Sequence, residues 1–254
     1  MLNRIFWGIL LILSSMQAGK ITIFAASDLK FALDMIKADF LKTHPNDTVR
    51  MIYGSSGKGK VQVANGAPYD LYFSANMDYV EQLYRNGDIV TKPKLYAIGR
   101  LVIWSMHDAF DASKGFDNLT APWVEKIAIA NPSHAPYGEK AKQALESKHL
   151  YPVLKPKIVL GENISQTANF IKVKAADVGI IALSLVLAPA VSKSRHAAYY
   201  LIDDSLHQPL RQGYGITKYG VSNPLARAFY DFFQTNKAQQ IMKRYGFSVP
   251  KRER

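Results

Sequence analysis

The sequence predicts an α/β protein of two lobes. Short apolar segments alternate with segments of helical period from Lys20 onward. Such alternation is typical of βαβ units, in which helices cover the faces of a sheet. Two successive sets of strands and helices show this alternation, and the last part of the chain then returns to the first set. We therefore expect two lobes with a cleft between them.

Two strand–turn–helix units begin the first set. A strand at 21–26 precedes the turn Ser27-Asp28, and a strand at 49–53 precedes a Gly-Ser-Ser-Gly turn at 54–57. The second turn leads into a short helix that ends at Gly66. A strand at 70–74 and a helix at 77–84 complete this set. The helix after the first turn places its apolar residues on one face: Leu29, Leu33, Ile36, Phe40 and Leu41.

The second set follows a long apolar strand at 96–104, which we expect to cross between the lobes. A turn rich in proline at 131–138 separates the next strand from a helix, and Asn163 and Ile164 open another helix. The remaining predicted strands lie at 126–130, 158–160, 177–182, 199–202 and 213–216, and the remaining helices at 139–148, 226–233 and 237–245.

Length and composition limit the possible classes. The chain has 254 residues, 48% of them hydrophobic, which is enough for a large core in one or two domains. It contains no cysteine, which excludes disulfides, thiolate metal sites and cysteine nucleophiles. The formal net charge is +12, but the basic residues are scattered rather than gathered into a stripe. We therefore expect solubility and a general attraction to anions, and no nucleic-acid binding.

The N-terminus has the pattern of a secretory signal peptide. Arg4 gives it a positive start, and the apolar run at 5–13 is too short to be a good membrane span. Small residues at 14–18 then offer a cleavage site after Ala18. We predict that residues 1–18 are a signal peptide and that the mature chain is exported. The alternative is an uncleaved membrane anchor.

The two serine turns predict an anion site. Ser27 and Ser56 lie 29 positions apart, about the length of one βαβ unit, so both turns should emerge at the same edge of a parallel sheet. Each turn leads into a helix N-terminus, where free N–H groups and the helix dipole favour an anion. Serine adds an O–H donor and no charge. This arrangement indicates a receptor for a small oxyanion; the alternative is that both serines merely cap helices.

The sequence offers little for catalysis or for direct metal binding. His134 lies between Pro132 and Pro136, where a histidine is more often structural than catalytic. The other histidines lack the spacing of metal ligands, and there is no G-x-S-x-G elbow and no Walker loop. We therefore predict no enzyme activity, no cofactor and no metal held directly by side chains.

Five motifs in order make the chain resemble the periplasmic molybdate-binding proteins of ABC importers. The similarity extends from Lys20 to about Pro250, which is nearly the whole predicted mature chain. The motifs are FAASDL at 24–29, YGSSG at 53–57, GAPYDLYFSA at 66–75, PSHAPYG at 132–138 and KRYGF at 243–247. Each is weak alone, but the set in this order is specific.

The resemblance implies a two-lobed periplasmic-binding-protein type II fold, each lobe a mixed, mostly parallel sheet flanked by helices. It places lobe 1 at 20–96 plus 206–254 and lobe 2 at 97–205. It implies a periplasmic, monomeric receptor that captures molybdate and tungstate and delivers them to an ABC permease in the inner membrane. The oxyanion would be held through its oxygens.

The resemblance also assigns the ligand donors. They would be the hydroxyl groups of Ser27 and Ser56 and the backbone N–H groups of Asp28, Tyr137 and Ile164. Many members add a tyrosine hydroxyl after the strand at 177–182, but Ala182 stands there and has no side-chain donor.

The side chain of Asp28 needs its own expectation, because a carboxylate facing a dianion would be repulsive. We expect it to turn away and to cap or favour the helix start. In the alternative, it accepts a proton from hydrogen phosphate or another protonated oxyanion.

Three other functions stay open. The first is a phosphate, sulfate or ferric-ion receptor on the same fold. The second is an enzyme on the same frame, which would need a partner for Asp28 or His134. The third is a cytoplasmic effector-sensing domain, although the predicted export signal stands where its DNA-binding helices would be expected.

Overall fold

The computed structural model describes residues 18–249 and contains two five-stranded sheets. The predicted signal peptide at 1–18 lies outside the described residues except for Ala18. The ten strands are β1 (Lys20–Ala26), β2 (Thr48–Gly54), β3 (Leu71–Ser74), β4 (Lys94–Gly99), β5 (Leu101–Ser105), β6 (Ile127–Ala130), β7 (Ile158–Gly161), β8 (Val178–Ala182), β9 (Tyr199–Leu201) and β10 (Leu210–Ile216).

Helices connect most of these strands, and several short 3₁₀ turns complete the described chain. The α-helices are α1 (Lys30–Phe40), α2 (Ser56–Ala64), α3 (Met77–Arg85), α4 (Pro136–Ser147), α5 (Tyr151–Leu154), α6 (Ile164–Lys172), α7 (Leu183–Val186), α8 (Pro189–Ser192), α9 (Pro224–Phe232) and α10 (Asn236–Arg244). The 3₁₀ turns are at Ser27–Leu29, Ala112–Thr120, Lys155–Lys157 and Asp204–Leu206. None of the helices within residues 18–249 is long and apolar enough to cross a membrane.

Each sheet mixes parallel and antiparallel pairs. The first has the order β2-β1-β3-β10-β4, in which β1 runs parallel to β2 and β3 while β10 runs antiparallel to β3 and β4. The second has the order β7-β6-β8-β5-β9, in which β6 runs parallel to β7 and β8 while β5 runs antiparallel to β8 and β9. The α/β layering is the one that the alternation predicted, and the mixed sheets are those that the resemblance implied, with two parallel and two antiparallel pairings in each.

The register of the first sheet sets the position of the two serine turns. Ala26 at the end of β1 pairs with Gly54 at the end of β2. Since the strands are parallel, the turns that begin at Ser27 and Ser55 leave the same edge of the sheet. The expectation from the spacing of the two serines is confirmed.

The predicted long strand at 96–104 is not one strand. It is broken at Arg100 into β4, which belongs to the first sheet, and β5, which belongs to the second. The chain therefore passes from one sheet to the other at this residue, and it returns between β9 and β10. Gly99 precedes the break, and a Cβ there would lie 2.3 Å from the Tyr137 hydroxyl. The lobe boundaries at 96/97 and 205/206 stay a prediction.

Each sheet has its own apolar core. In the first, α1 buries Leu33, Ile36 and Phe40 completely, and the ring of Phe40 packs edge-on against Phe229 of α9 at 5.1 Å between centroids. Leu41, which the periodicity placed on the same face, is only half-buried because α1 has ended at Phe40. In the second core, β5, β6 and β8 are buried throughout. Separate cores allow each sheet to remain intact if the two move relative to each other.

Candidate functional site

A small cavity lies between the two sheets, and all five predicted site residues line it. About 190 Å³ of atom-free space lies here, part of it open to solvent. Residues from both sheets enclose it, and among them are no lysine, arginine or histidine. The lining residues are Ala26, Ser27, Asp28, Gly54, Ser55, Ser56, Ala75, Ala135, Pro136, Tyr137 and Ile164.

Helix starts dominate the wall of the cavity. Ser56 is the first residue of α2, Tyr137 the second of α4 and Ile164 the first of α6. N–H groups in a first helical turn have no carbonyl partner within their own helix, and the dipole gives them partial positive charge. Three α-helices therefore begin at one space, and the N–H groups of Ser56, Tyr137 and Ile164 are candidate donors to it. Such a space suits an anion and offers no side-chain cation to hold it.

Ser27 connects the two sides of the cavity. Its hydroxyl donates to Asn163 Oδ1 at 3.1 Å and accepts from the backbone N–H of Ser165 at 3.2 Å. The Ser165 hydroxyl in turn donates to the carbonyl of Ser27 at 2.8 Å. Asn163 also caps α6 by accepting from the N–H of Gln166 at 3.0 Å. The first turn is thus bonded directly to the start of α6.

Ser56 has a different role. Its Oγ accepts from the backbone N–H of Ala75 at 2.9 Å, and the residue is buried. Because that bond uses a lone pair, the hydroxyl proton is left for another acceptor. At the start of α2 the cap position belongs to Ser55, which makes no side-chain capping bond. Ser56 therefore does not serve as a simple cap of α2, whereas the Ser27 hydroxyl does accept a first-turn N–H of α6, that of Ser165.

The carboxyl group of Asp28 is buried beside the cavity. Oδ2 accepts from Gln212 Nε2 at 3.0 Å, whereas Oδ1 has no hydrogen-bond partner within the described chain. Burial raises the pKa of Asp28 to about 6, although the hydrogen bond from Gln212 acts in the opposite direction. Asp28 therefore lies at the helix start, as expected, but the hydrogen-bond partner of its carboxyl group is Gln212 of β10.

Gln212 organises a polar cluster that the sequence did not reveal. Its Nε2 donates to Asp28 Oδ2 and to the Tyr137 hydroxyl, both at 3.0 Å, and its Oε1 accepts from the Tyr96 hydroxyl at 2.7 Å. Burial raises the pKa of both tyrosines well above the ordinary value, so both stay neutral. Gln212 is fully buried in β10, next to the exposed Arg211, and nothing in the local sequence distinguishes the two polar residues by burial.

The rim of the cavity is held by contacts around His134. Its Nδ1 lies 2.9 Å from Ser55 Oγ, and its carbonyl accepts from the N–H of Gly57 at 2.9 Å. Glu162 forms an ion pair with Lys58 at 2.5 Å and lies 3.7 Å from His134 Nε2. His134 thus connects the loop after β6 to α2, which agrees with the structural role expected for it.

Two kinds of ligand are absent from the site among the described residues: a side-chain donor from β8 and a group of metal-binding side chains. No residue of β8 lines the cavity, and Ala182 at the end of that strand is buried without a side-chain donor. Within residues 18–249, no three His, Asp or Glu residues group together as metal ligands would. The site can therefore bind a ligand through hydrogen bonds donated by hydroxyl and N–H groups.

Comparisons with known proteins give a consistent result. Residues 21–248 match the family of bacterial extracellular solute-binding proteins. The molybdate-binding protein ModA of Rhodobacter capsulatus is 32% identical over 201 residues, which cover 79% of this chain and 77% of the relative. ModA of Azotobacter vinelandii is 30% identical over 234 residues, which cover 92% of this chain and 91% of the relative.

A solved structure extends this similarity to three dimensions. The periplasmic molybdate-binding protein of Azotobacter vinelandii superposes with a TM-score of 0.84 at 29% identity, covering 91% of this chain and 100% of that chain. The similarity therefore spans both sheets and the cavity between them.

Proposed function

This chain belongs to the bacterial extracellular solute-binding protein family, and we propose that it captures molybdate for an ABC importer. The observation that carries the proposal is the enclosed cavity between the sheets, which is lined by hydroxyl groups and helix starts and by no side-chain cation. The relatives named for molybdate binding make that ion the first candidate. The protein is a receptor and not an enzyme.

The chemistry of the ion matches that of the cavity. Molybdate is a dianion with four acceptor oxygens and no proton near neutral pH, so it needs donors only. We assign these donors to the hydroxyls of Ser27 and Ser56 and to the N–H groups of Asp28, Tyr137 and Ile164. The Ser27 proton, which here is donated to Asn163 Oδ1, would be donated to the ion instead when the ion binds. A hydrogen bond to a charged group contributes about 1.5–3 kcal/mol. Five such bonds in a rigid frame support nanomolar affinity, on the order of −12 kcal/mol.

The donors come from both sheets, so the ion can contact all of them only when the two sheets lie close together. Ser27 and Ser56 follow strands of the first sheet, whereas Tyr137 and Ile164 belong to helices that cover the second. We propose that two lobes, at 20–96 plus 206–254 and at 97–205, close over the ion. Closure removes water, and hydrogen bonds to the ion strengthen in the lower dielectric.

The fixed positions of these five donors account for selectivity between oxyanions. Tungstate has almost the same size and charge as molybdate, so it binds too. Sulfate is smaller, and fixed donors would lie too far from its oxygens. We further propose that residues 1–18 direct export to the periplasm, and that the mature monomer delivers its ion to a permease in the inner membrane.

A thermal-shift panel tests this function. The purified mature chain is heated with molybdate, tungstate, sulfate, phosphate or ferric citrate. A ligand at 100 times its Kd adds about 2.7 kcal/mol of stability, so molybdate and tungstate should raise Tm by several degrees. Sulfate and phosphate at the same concentration should not. A rise with ferric citrate alone, or equal rises with sulfate and molybdate, would contradict the assignment.

A further inference from the structure

The cavity that we assign to a dianion has an acid beside it. Asp28 is 1% exposed, and it is the only ionisable carboxyl group among the residues that line the cavity. Its Oδ1 has no hydrogen-bond partner in the described chain. An ionised carboxylate here would face the dianion without any cation among the lining residues to offset the repulsion.

The residues in contact with this carboxyl group are neutral. Gln212 donates its amide N–H to Oδ2 and holds that oxygen as an acceptor. Tyr96 and Tyr137, on β4 and α4, are buried and stay protonated. Ser184 on α7 donates to the backbone carbonyl of Asp28 at 2.8 Å and carries no charge. None of these groups can supply or neutralise a charge near neutral pH.

Charged groups on the neighbouring elements are paired with one another. On α1, Lys30 and Asp34 form an ion pair at 3.6 Å. At the rim, Glu162 forms an ion pair with Lys58 and lies close to the ring of His134. Helix α7 has no ionisable residue, and Lys172 on α6 lies at its far end from the cavity. His134 is the histidine among these groups, and a variant without its imidazole therefore serves as the control for Asp28.

We propose that the protein takes up one proton together with each oxyanion and that Asp28 carries this proton. The inference rests on the proposed function, because it requires a dianion in this cavity. The proton comes from solvent and is placed on Oδ1, since Oδ2 accepts from Gln212. No bond within the ion forms or breaks.

The energetic direction is consistent with this placement. Burial already raises the pKa of Asp28 to about 6. The field of a bound dianion acts in the same direction, because it disfavours a second negative charge nearby. The free protein is therefore mostly ionised at Asp28 above neutral pH, whereas the complex holds the neutral acid. The two states differ by close to one proton.

Calorimetry of molybdate binding measures that proton directly. Titrations at pH 8 in buffers of different ionisation enthalpy should give uptake of about one proton per ion, and Kd should rise about tenfold per pH unit above pH 7. Asp28→Asn places a neutral amide at the same position. The variant should show no proton uptake and a Kd that is constant across this range, close to the value for the wild type at low pH.

A second variant separates Asp28 from the rim. His134→Gln keeps a polar side chain near Ser55 but cannot titrate, and it should retain the proton uptake of the wild type. If the wild type binds molybdate tightly with no proton uptake and no pH dependence, the inference about Asp28 is overturned while the receptor function stands. It is also overturned if the uptake disappears in His134→Gln and persists in Asp28→Asn. Failure to bind any tetrahedral dianion overturns both proposals.

Discussion

Ser56 has two functions at the scale of a single residue. Its oxygen accepts from the buried N–H of Ala75, which secures the segment after β3, and its proton is left for the ligand. Ser56→Ala removes both interactions. We expect molybdate affinity to fall more than tenfold, as the loss of a hydrogen bond to a charged ligand implies. Calorimetry at fixed pH measures this change.

A buried serine far from the cavity is the matched control. Ser105 accepts from the N–H of His107 at 2.9 Å, much as Ser56 does from Ala75. In both alanine variants a backbone N–H loses its partner, at a cost of about 1–3 kcal/mol in the free energy of unfolding. Only Ser56→Ala should also lose affinity. Unchanged affinity in that variant would remove Ser56 from the ligand site.

The ionisation of Asp28 also affects stability without ligand. Its pKa is raised from 3.8 to about 6 on folding, so the folded state binds the proton more tightly than the unfolded state. The stabilising contribution is therefore complete below pH 3.8 and is lost as pH rises through about 6. The full loss is about 3 kcal/mol. Asp28→Asn cannot titrate, and its stability relative to the wild type should increase across this interval.

Denaturant unfolding of both proteins at several pH values, without oxyanion, tests this expectation. The comparison between variants matters, because other carboxyl groups oppose the trend. Asp39, for example, has a pKa lowered mainly by its hydrogen bond to Lys237. Parallel pH profiles for wild type and Asp28→Asn would show that Asp28 has an ordinary pKa in the folded protein.

Local sequence was sufficient for some site residues and not for others. Ser27 and Ser56 follow from strand–turn–helix patterns that a reader can recognise within ten residues, and their common edge follows from a parallel crossover. Gln212 could not be predicted in this way, because its bond to Asp28 joins residues 184 positions apart. Nothing local distinguishes a glutamine that faces solvent from one that organises a buried cluster.

At the scale of elements, most strands and helices and the common edge of the two serine turns were predictable, whereas the break between β4 and β5 was not. Residues 96–104 read as one apolar segment because both strands are buried. The break at Arg100 depends on which partner each half finds. Ala97 pairs with β10 in the first sheet, and Leu101 pairs with β8 in the second. The apolar pattern of a sequence indicates which residues are buried, but it does not indicate which strand each segment pairs with.

The start of α6 offers a test of how a helix terminus serves the anion. Asn163 Oδ1 accepts from Gln166 N–H and from the Ser27 hydroxyl. Asn163→Asp preserves an acceptor and an N-cap of similar quality, but it adds a negative charge next to Ile164. We expect Tm without ligand to change little and molybdate affinity to fall at least tenfold. Thermal unfolding and calorimetry measure the two effects separately.

An aspartate at a distant helix start controls for the added charge. Thr235 caps α10 by accepting from the N–H of Ala238 at 3.3 Å, and α10 does not contribute to the cavity. Thr235→Asp should leave the affinity within about twofold of the wild type, because exposed charges beyond a Debye length are largely screened. Equal losses in the two variants would mean that net charge, and not the α6 terminus, controls binding.

At the scale of the whole molecule, the two sheets meet through backbone as well as side chains. Gly57 of α2 donates its N–H to the carbonyl of His134, which follows a strand of the second sheet. A Cβ at Gly57 would lie 2.6 Å from that carbonyl oxygen and 3.0 Å from the His134 Cα. Backbone cannot move aside as a flexible side chain can. A methyl group here would therefore hold the two sides of the cavity apart.

Gly57→Ala should therefore impair the approach of the two sheets to each other without destabilising the fold. Within α2 alone, alanine is favoured over glycine by up to about 1 kcal/mol, so Tm without ligand should be unchanged or higher. Molybdate affinity should fall at least tenfold, since Tyr137 and Ile164 could no longer approach the ion together with Ser27 and Ser56. Small-angle scattering should show less compaction on adding molybdate than in the wild type.

Val61→Ala on the same helix is the matched control, because Val61 is exposed and lies away from the cavity. It should bind and compact as the wild type does. Wild-type affinity in Gly57→Ala would mean that the contact between α2 and the His134 loop is not needed to hold the ion. In that case the five donors would have to reach the ion without the close approach of the two sheets seen here, and capture would not depend on closure.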